Sequence, residues 1–192
     1  MNGVVVGVIG KQCSGKGTVI ECLKHILKNK RIDHVKSGSG GILDDFLKSA
    51  GSPITRENQQ KMAAGLRKYF GDDFISNTAG DRIRKSFADV AIYDAIRWEY
   101  DEKMIRSFNW SLILAVDADK ELRFHRCKNR PRGDEKDLTR EQFEKAEVAS
   151  TEIEIDRIAK RADFTILNNE GLDSLELDVE FFCKKHGLLY GG

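Results

Sequence analysis

Val4-Val5-Val6-Gly7-Val8-Ile9-Gly10-Lys11-Gln12-Cys13-Ser14-Gly15-Lys16-Gly17-Thr18 decides the reading of this chain. An apolar strand runs into a loop framed by glycines, and a helical pattern follows at once. The spacing G-x-x-x-x-G-K lets a backbone curl until successive N–H groups point inward, which makes an anion nest at a helix N-terminus. Gly10, Cys13, Ser14, Gly15, Lys16, Gly17 and Thr18 are the expected cradle, with Lys16 reaching the β- and γ-phosphates. Gly17 takes the position after the lysine where Ser or Thr is usual. The hydroxyl that would help hold a Mg²⁺ ion therefore falls on Thr18.

Outward from this loop, apolar runs of strand length alternate with amphipathic runs of helix length. That alternation predicts a three-layer α/β/α fold around a mostly parallel, five-stranded sheet. Strands are expected at Val4–Ile9, Val90–Asp94, 111–116 and Phe164–Leu167, with a weaker one near His34–Ser37. Helices are expected over 17–28, Arg56–Phe70, 101–106, 120–129, 140–161 and 175–185, and Thr139 with Gln142 forms a capping box ahead of the fifth. The Gly-rich stretch 38–41 and the charged stretch 129–137 read as flexible inserts. At 192 residues the chain fits one domain, with an acceptor-side insert at about 38–75 and a lid at about 127–140.

Composition narrows the partners. Lys plus Arg number 32 against 31 Asp plus Glu, so no global charge draws the chain to nucleic acid or an anionic membrane. The early apolar run is too short to span a bilayer and lacks the flanks of a signal peptide, which sets a cytoplasmic expectation. Cys13, Cys22, Cys127 and Cys183 are scattered without zinc spacing, and free, reduced thiols are expected.

Three further clusters could carry chemistry. Asp94 and Arg97 lie just past a buried strand, at the edge where open α/β sheets hold ligands; Asp94 could hold Mg²⁺ and Arg97 a phosphate, or Asp94 could simply cap a turn. Arg123, Arg126, Arg130 and Arg132 fall on and just after a helix, the first three spaced along one face. They could spread over the oxygens of a transferring phosphoryl group or form a solvated basic face. Arg56, Arg67 and Lys68 flank the acceptor-side helix, Arg67 being the favoured ligand. Nearby Tyr69, Phe70 and Phe74 could stack a base, though core packing is the preferred expectation.

In order along the chain, these elements resemble the nucleoside monophosphate kinase group of P-loop proteins. Within it, they look like the small archaeal-type adenylate-kinase-related proteins and their dephospho-coenzyme A kinase relatives. GKQCSGKGT resembles the family's phosphate loop, DAIR at 94–97 its D-G-x-R element, and RFHRCKNRPR at 123–132 its lid start. The run 57–71 resembles its acceptor-side helix, and ADFTILNNEG at 162–171 its closing element, which in such folds lies near the adenine. The resemblance implies ATP and Mg²⁺ as cofactors and catalysis by Lys16, Asp94, Arg126 and Arg130. It further implies that Arg126 and Asn168 contact the nucleotide and that Arg67, Arg97 and Arg132 bind a small phosphate-bearing acceptor, a (deoxy)nucleoside monophosphate. Dephospho-coenzyme A is the alternative acceptor. A nucleotide-binding ATPase or switch is the alternative class, while nucleic-acid end phosphorylation finds no basic-aromatic groove to support it. Ala95 departs from the family's glycine, no acidic residue follows the second strand, and the lid lacks the cysteines of zinc-bearing adenylate kinases.

Overall fold

The computed structural model describes residues 3–129 and 138–189. All five expected strands form: β1 (Val4–Ile9), β2 (His34–Ser37), β3 (Val90–Asp94), β4 (Ser111–Asp117) and β5 (Phe164–Leu167). They pair in parallel in the order β2-β3-β1-β4-β5, so β1 lies at the centre with β3 and β4 beside it. Burial on both faces explains why these three read as nearly continuous apolar runs. Because the order reverses across β1, the chain leaves β1 and β3 at neighbouring points of one sheet edge, where a crevice opens.

Nine helices cover the two faces among the described residues: α1 (Lys16–Asn29), α2 (Ser39–Ser49), α3 (Arg56–Phe70), α4 (Phe74–Lys85), α5 (Glu99–Arg106), α6 (Lys120–Lys128), α7 (Arg140–Glu147), α8 (Ser150–Ala159) and α9 (Leu172–Lys185). One apolar cluster joins β1, β3, β4 and β5 to α1 and α9 through Val6, Leu23, Leu27, Ile92, Leu114, Val179 and Phe182. The second joins the opposite face to α2, α4, α5 and α8 through Ile42, Ile75, Ile83, Ile105 and Ile155.

Three expectations need correction. The Gly-rich stretch at 38–41 is not a flexible insert, because α2 starts at Ser39. Ile42, Leu43 and Leu47 supply the buried face that outweighs the helix-weakening glycines. α4 was not anticipated, although Ile75, Ala79 and Ile83 recur at helical spacing. The helix expected over 140–161 is two, α7 and α8, broken at Val148 and Ala149. The capping box of Thr139 and Gln142 does form: the Gln142 N–H donates to Thr139 Oγ1 at 3.2 Å and the Thr139 N–H to Gln142 Oε1 at 2.9 Å. Most of the charged lid segment, including Arg130 and Arg132, lies outside the described residues. No helix among the described residues is long and apolar enough to cross a membrane.

Candidate active site

The loop between β1 and α1 takes the form its glycines permit. Gly15 has φ of 100°, and a Cβ there would stand 2.0 Å from Asn168 Nδ2; at Gly10 a Cβ would stand 2.2 Å from the Val116 carbonyl oxygen. A side chain at either position would force the loop off the sheet edge. Lys16 opens α1 and folds back over the loop, its Nζ donating to the carbonyls of Gly10 (2.6 Å) and Lys11 (2.7 Å). Ser14 is fully buried with its Oγ unpartnered, whereas Gly17 and Thr18 are exposed on the first turn of α1.

Elements from far along the chain hold this loop in place. Asn168, buried just after β5, donates from Nδ2 to the Ser14 carbonyl at 2.8 Å. Arg126 on α6 donates to the Asn168 carbonyl at 2.9 Å. Asn168 is thus a brace behind the loop, and Arg126 is anchored beside it. Cys13 and Cys127 form a disulfide with Cα atoms 5.6 Å apart, so the expectation of four reduced thiols is wrong for this pair; Cys22 and Cys183 are free and buried. The sequence separation of 114 residues hid the pairing, because only the fold brings α6 against the loop. Cys13 can therefore offer the loop its backbone N–H but no thiol.

The arginine ladder divides. Arg123 is buried, its Nε donating to the Ala118 carbonyl and its fork reaching both oxygens of Glu147 at 2.7 Å. It is spent on structure and does not face a phosphoryl group as the spacing suggested. Glu147 also receives Lys11 at 3.6 Å, and Lys11 pairs with Asp156 at 2.8 Å. Burial works to raise the Glu147 carboxyl's pKa, yet the Arg123 fork and Lys11 together hold it below the ordinary carboxylate range.

Across the crevice, Asp94 ends β3 and pairs with Lys36 of β2 at 3.0 Å. The turn after it is tied to Asp101, which is buried on α5: the N–H groups of Arg97 and Trp98 donate to Oδ2 at 2.9 and 3.0 Å, and Tyr93 Oη donates to Oδ1 at 2.7 Å. Asp101 was not singled out in the sequence, yet it fixes where Arg97 leaves the backbone. Arg97 itself is exposed. Arg67 of α3 lies 5.9 Å from the ring centroids of both Trp98 and Tyr100, and its buried Nε has no hydrogen-bond partner. Tyr69 and Phe70, expected to pack in the core, are 76 % and 63 % exposed, whereas Phe74 packs against the core.

Thr18 and Asp94 suit a Mg²⁺ ion by donor chemistry, being a hydroxyl and a carboxylate at the ends of α1 and β3. The ion commonly takes few protein oxygens and completes its shell with phosphates and water.

A glycine-framed loop at the head of the first helix, under a parallel sheet of this strand order, defines a P-loop kinase-like fold. The shikimate kinase of Aquifex aeolicus shares it with a TM-score of 0.56 at 16% identity, covering 98% of this chain and 99% of that one. The shikimate kinase of Bacteroides thetaiotaomicron does so with a TM-score of 0.60 at 11% identity, covering 95% and 97%. The chain belongs to the UPF0200 family: the UPF0200 protein of Methanoregula boonei is 30% identical over 132 residues, 68% of this chain and 69% of that protein. That of Methanoculleus marisnigri is 28% identical over 185 residues, covering 95% and 97%. No protein-family model matches the chain. At 16% and 11% identity, the likeness to the two solved structures shows the fold alone.

Proposed function

We propose that this protein is an ATP-dependent phosphotransferase that moves the γ-phosphoryl of MgATP to a small phosphate-bearing acceptor, a nucleoside monophosphate. The observation that carries the reading is the pairing of a braced phosphate loop with two arginines on the opposite wall of the crevice. Arg67 has a buried Nε lacking a partner, and Arg97 is exposed at the end of a turn fixed by Asp101. Loop N–H groups hold the nucleotide's phosphates, and Lys16 leaves its two backbone carbonyls to neutralise the β- and γ-oxygens. Thr18 and Asp94 would hold Mg²⁺, which supplies charge neutralisation across the same phosphates when bound. Arg97 and Arg67 orient the acceptor's phosphate for in-line attack, so catalysis comes from positioning and electrostatics without a protein nucleophile.

A coupled ADP-release screen over nucleoside monophosphates and dephospho-coenzyme A tests the reading. A nucleoside monophosphate giving turnover well above the acceptor-free rate is the expected outcome. Turnover only with dephospho-coenzyme A would replace the acceptor, and hydrolysis equally fast without any acceptor would replace the class with an ATPase or switch.

A further inference from the structure

Cys13, in the middle of the phosphate loop, is constrained twice over. Its backbone φ is 60°, a left-handed conformation that is unfavourable for any residue with a side chain. Its sulfur is also joined to Cys127 of α6, from which 114 positions of sequence separate it. Cys127 is fully buried and Cys13 half-buried, so the cross-link reaches the loop from the α6 side, where Arg126 anchors Asn168 and Asn168 braces the Ser14 carbonyl. The turn that carries Cys13 closes on a long hydrogen bond, 3.3 Å from the Ser14 N–H to the Lys11 carbonyl, and by itself holds the residue weakly. A nest binds an anion only while its successive N–H groups converge, and the dihedrals of the residues between them set that convergence.

We propose that the Cys13–Cys127 pair is a thiol–disulfide switch on nucleotide binding: the bonded chain keeps the nest formed, and a dithiol reductant opens the bond and weakens the hold on the phosphates. The proposal rests on the phosphotransferase reading above, in which the loop's ligand is a nucleotide. A thiolate of the reductant attacks the more accessible sulfur, that of Cys13; the S–S bond breaks and Cys127 leaves as a thiolate that takes up a proton. The reductant's second thiol then displaces Cys13, which is protonated in turn, and the reductant ends as its own disulfide, two electrons having passed to the chain. Freed from α6, Cys13 relaxes out of the left-handed region, and a bound nucleotide must first restore it. The coupling is reciprocal, so a bound nucleotide resists reduction of the bond by the same factor.

Calorimetric titration of the full chain with Mg²⁺ and AMP-PNP, before and after treatment with dithiothreitol, reads the switch. Thiols counted in denaturant fix the two states, at two for the oxidised chain and four for the reduced one, because Cys22 and Cys183 are free in both. Reduction raises the AMP-PNP Kd about tenfold, the scale on which the left-handed region is disfavoured outside glycine. Cys127→Ser binds as the reduced wild type does and ignores dithiothreitol, and saturating AMP-PNP makes the wild-type bond about tenfold harder to reduce. Equal Kd values in the two states overturn the proposal, as do four thiols in the oxidised chain or a dithiothreitol response that survives in Cys127→Ser. A reduced chain that loses its far-ultraviolet circular dichroism overturns it too, since the bond would then hold the whole fold and not the loop. The two readings fail separately: AMP-PNP bound equally in both states removes only the switch, while no binding in either state removes the phosphotransferase reading and the switch with it.

Discussion

The two walls of the crevice are built on opposite plans. On the loop side, most polar groups are at least half-buried and spoken for, Ser14 Oγ excepted: Asn168 braces the Ser14 carbonyl, Arg126 anchors to Asn168, and Arg123 and Lys11 converge on Glu147. On the acceptor side, the reverse holds. Tyr69 and Phe70 stand exposed, Arg67 rests against two rings with its Nε unmatched, and a groove of about 420 Å³ opens among Leu47, Met62, Leu66 and Tyr69. A wall whose hydrogen bonds are already satisfied is pre-organised, and a ligand there need not order it. A wall with unmatched donors and exposed rings completes its contacts only with a partner. On the proposed phosphotransferase reading, the rigid side would hold the nucleotide and the adaptable side would select the acceptor.

Breaking the rigid wall should have the largest effects. Arg123→Ala removes a buried guanidinium and leaves the half-buried Glu147 with Lys11 alone, and should lower stability by about 3 kcal/mol, the low end for breaking a buried pair, read from urea unfolding. The sign with pH follows from the depressed carboxyl of Glu147. Its stabilisation is present above the unfolded carboxylate value and is lost as pH falls through the folded one, so Arg123→Ala should flatten the acid limb of the stability profile. Lys16→Ala should leave folding intact and reduce kcat by about 10² or more, as removal of one transition-state donor does elsewhere; full phosphotransfer by this variant would refute the loop's role. Reducing the Cys13–Cys127 disulfide frees the loop from α6 and should cost about 2–4 kcal/mol. A melting temperature unchanged by a dithiol, with Cys127→Ser as the control, would show that the non-covalent braces alone set this wall.

The same contrast governs how much could be read from the residues. All five strands were legible because buried parallel strands write their burial as unbroken Val, Ile, Leu and Ala. The loop was legible because its chemistry is local, complete within 10–18. What escaped was whatever depends on distant partners. Arg123 looks like its neighbours on a basic helix until α7 brings Glu147 against it, and Cys13 looks reduced until α6 delivers Cys127. Glu152 reads as one more charge in an acidic, amphipathic helix, and only the fold turns it inward. Asp101 gave a local signal that went unused, since it follows Trp98 at N-cap spacing. Tyr69 and Phe70 differ for the opposite reason: the core beneath α3 takes Leu66 and leaves both rings exposed, which their aromatic character does not announce.

Arg67 is where the adaptable wall can be tested, with the smallest expected effect. Its guanidinium is held by ring faces and leaves Nε unmatched, so an acceptor's anionic group could complete it without displacing an existing bond. Arg67→Lys keeps the charge but loses the planar fork that both rings and a phosphate recognise. It should raise the acceptor KM by about tenfold, or ~1.4 kcal/mol, while leaving the ATP KM unchanged. An equal rise in both constants would mean that the two walls are coupled through the crevice and are not independent. A rise in neither would move acceptor recognition to Arg97 and leave Arg67 as the clasp that seats α3 on the turn after β3.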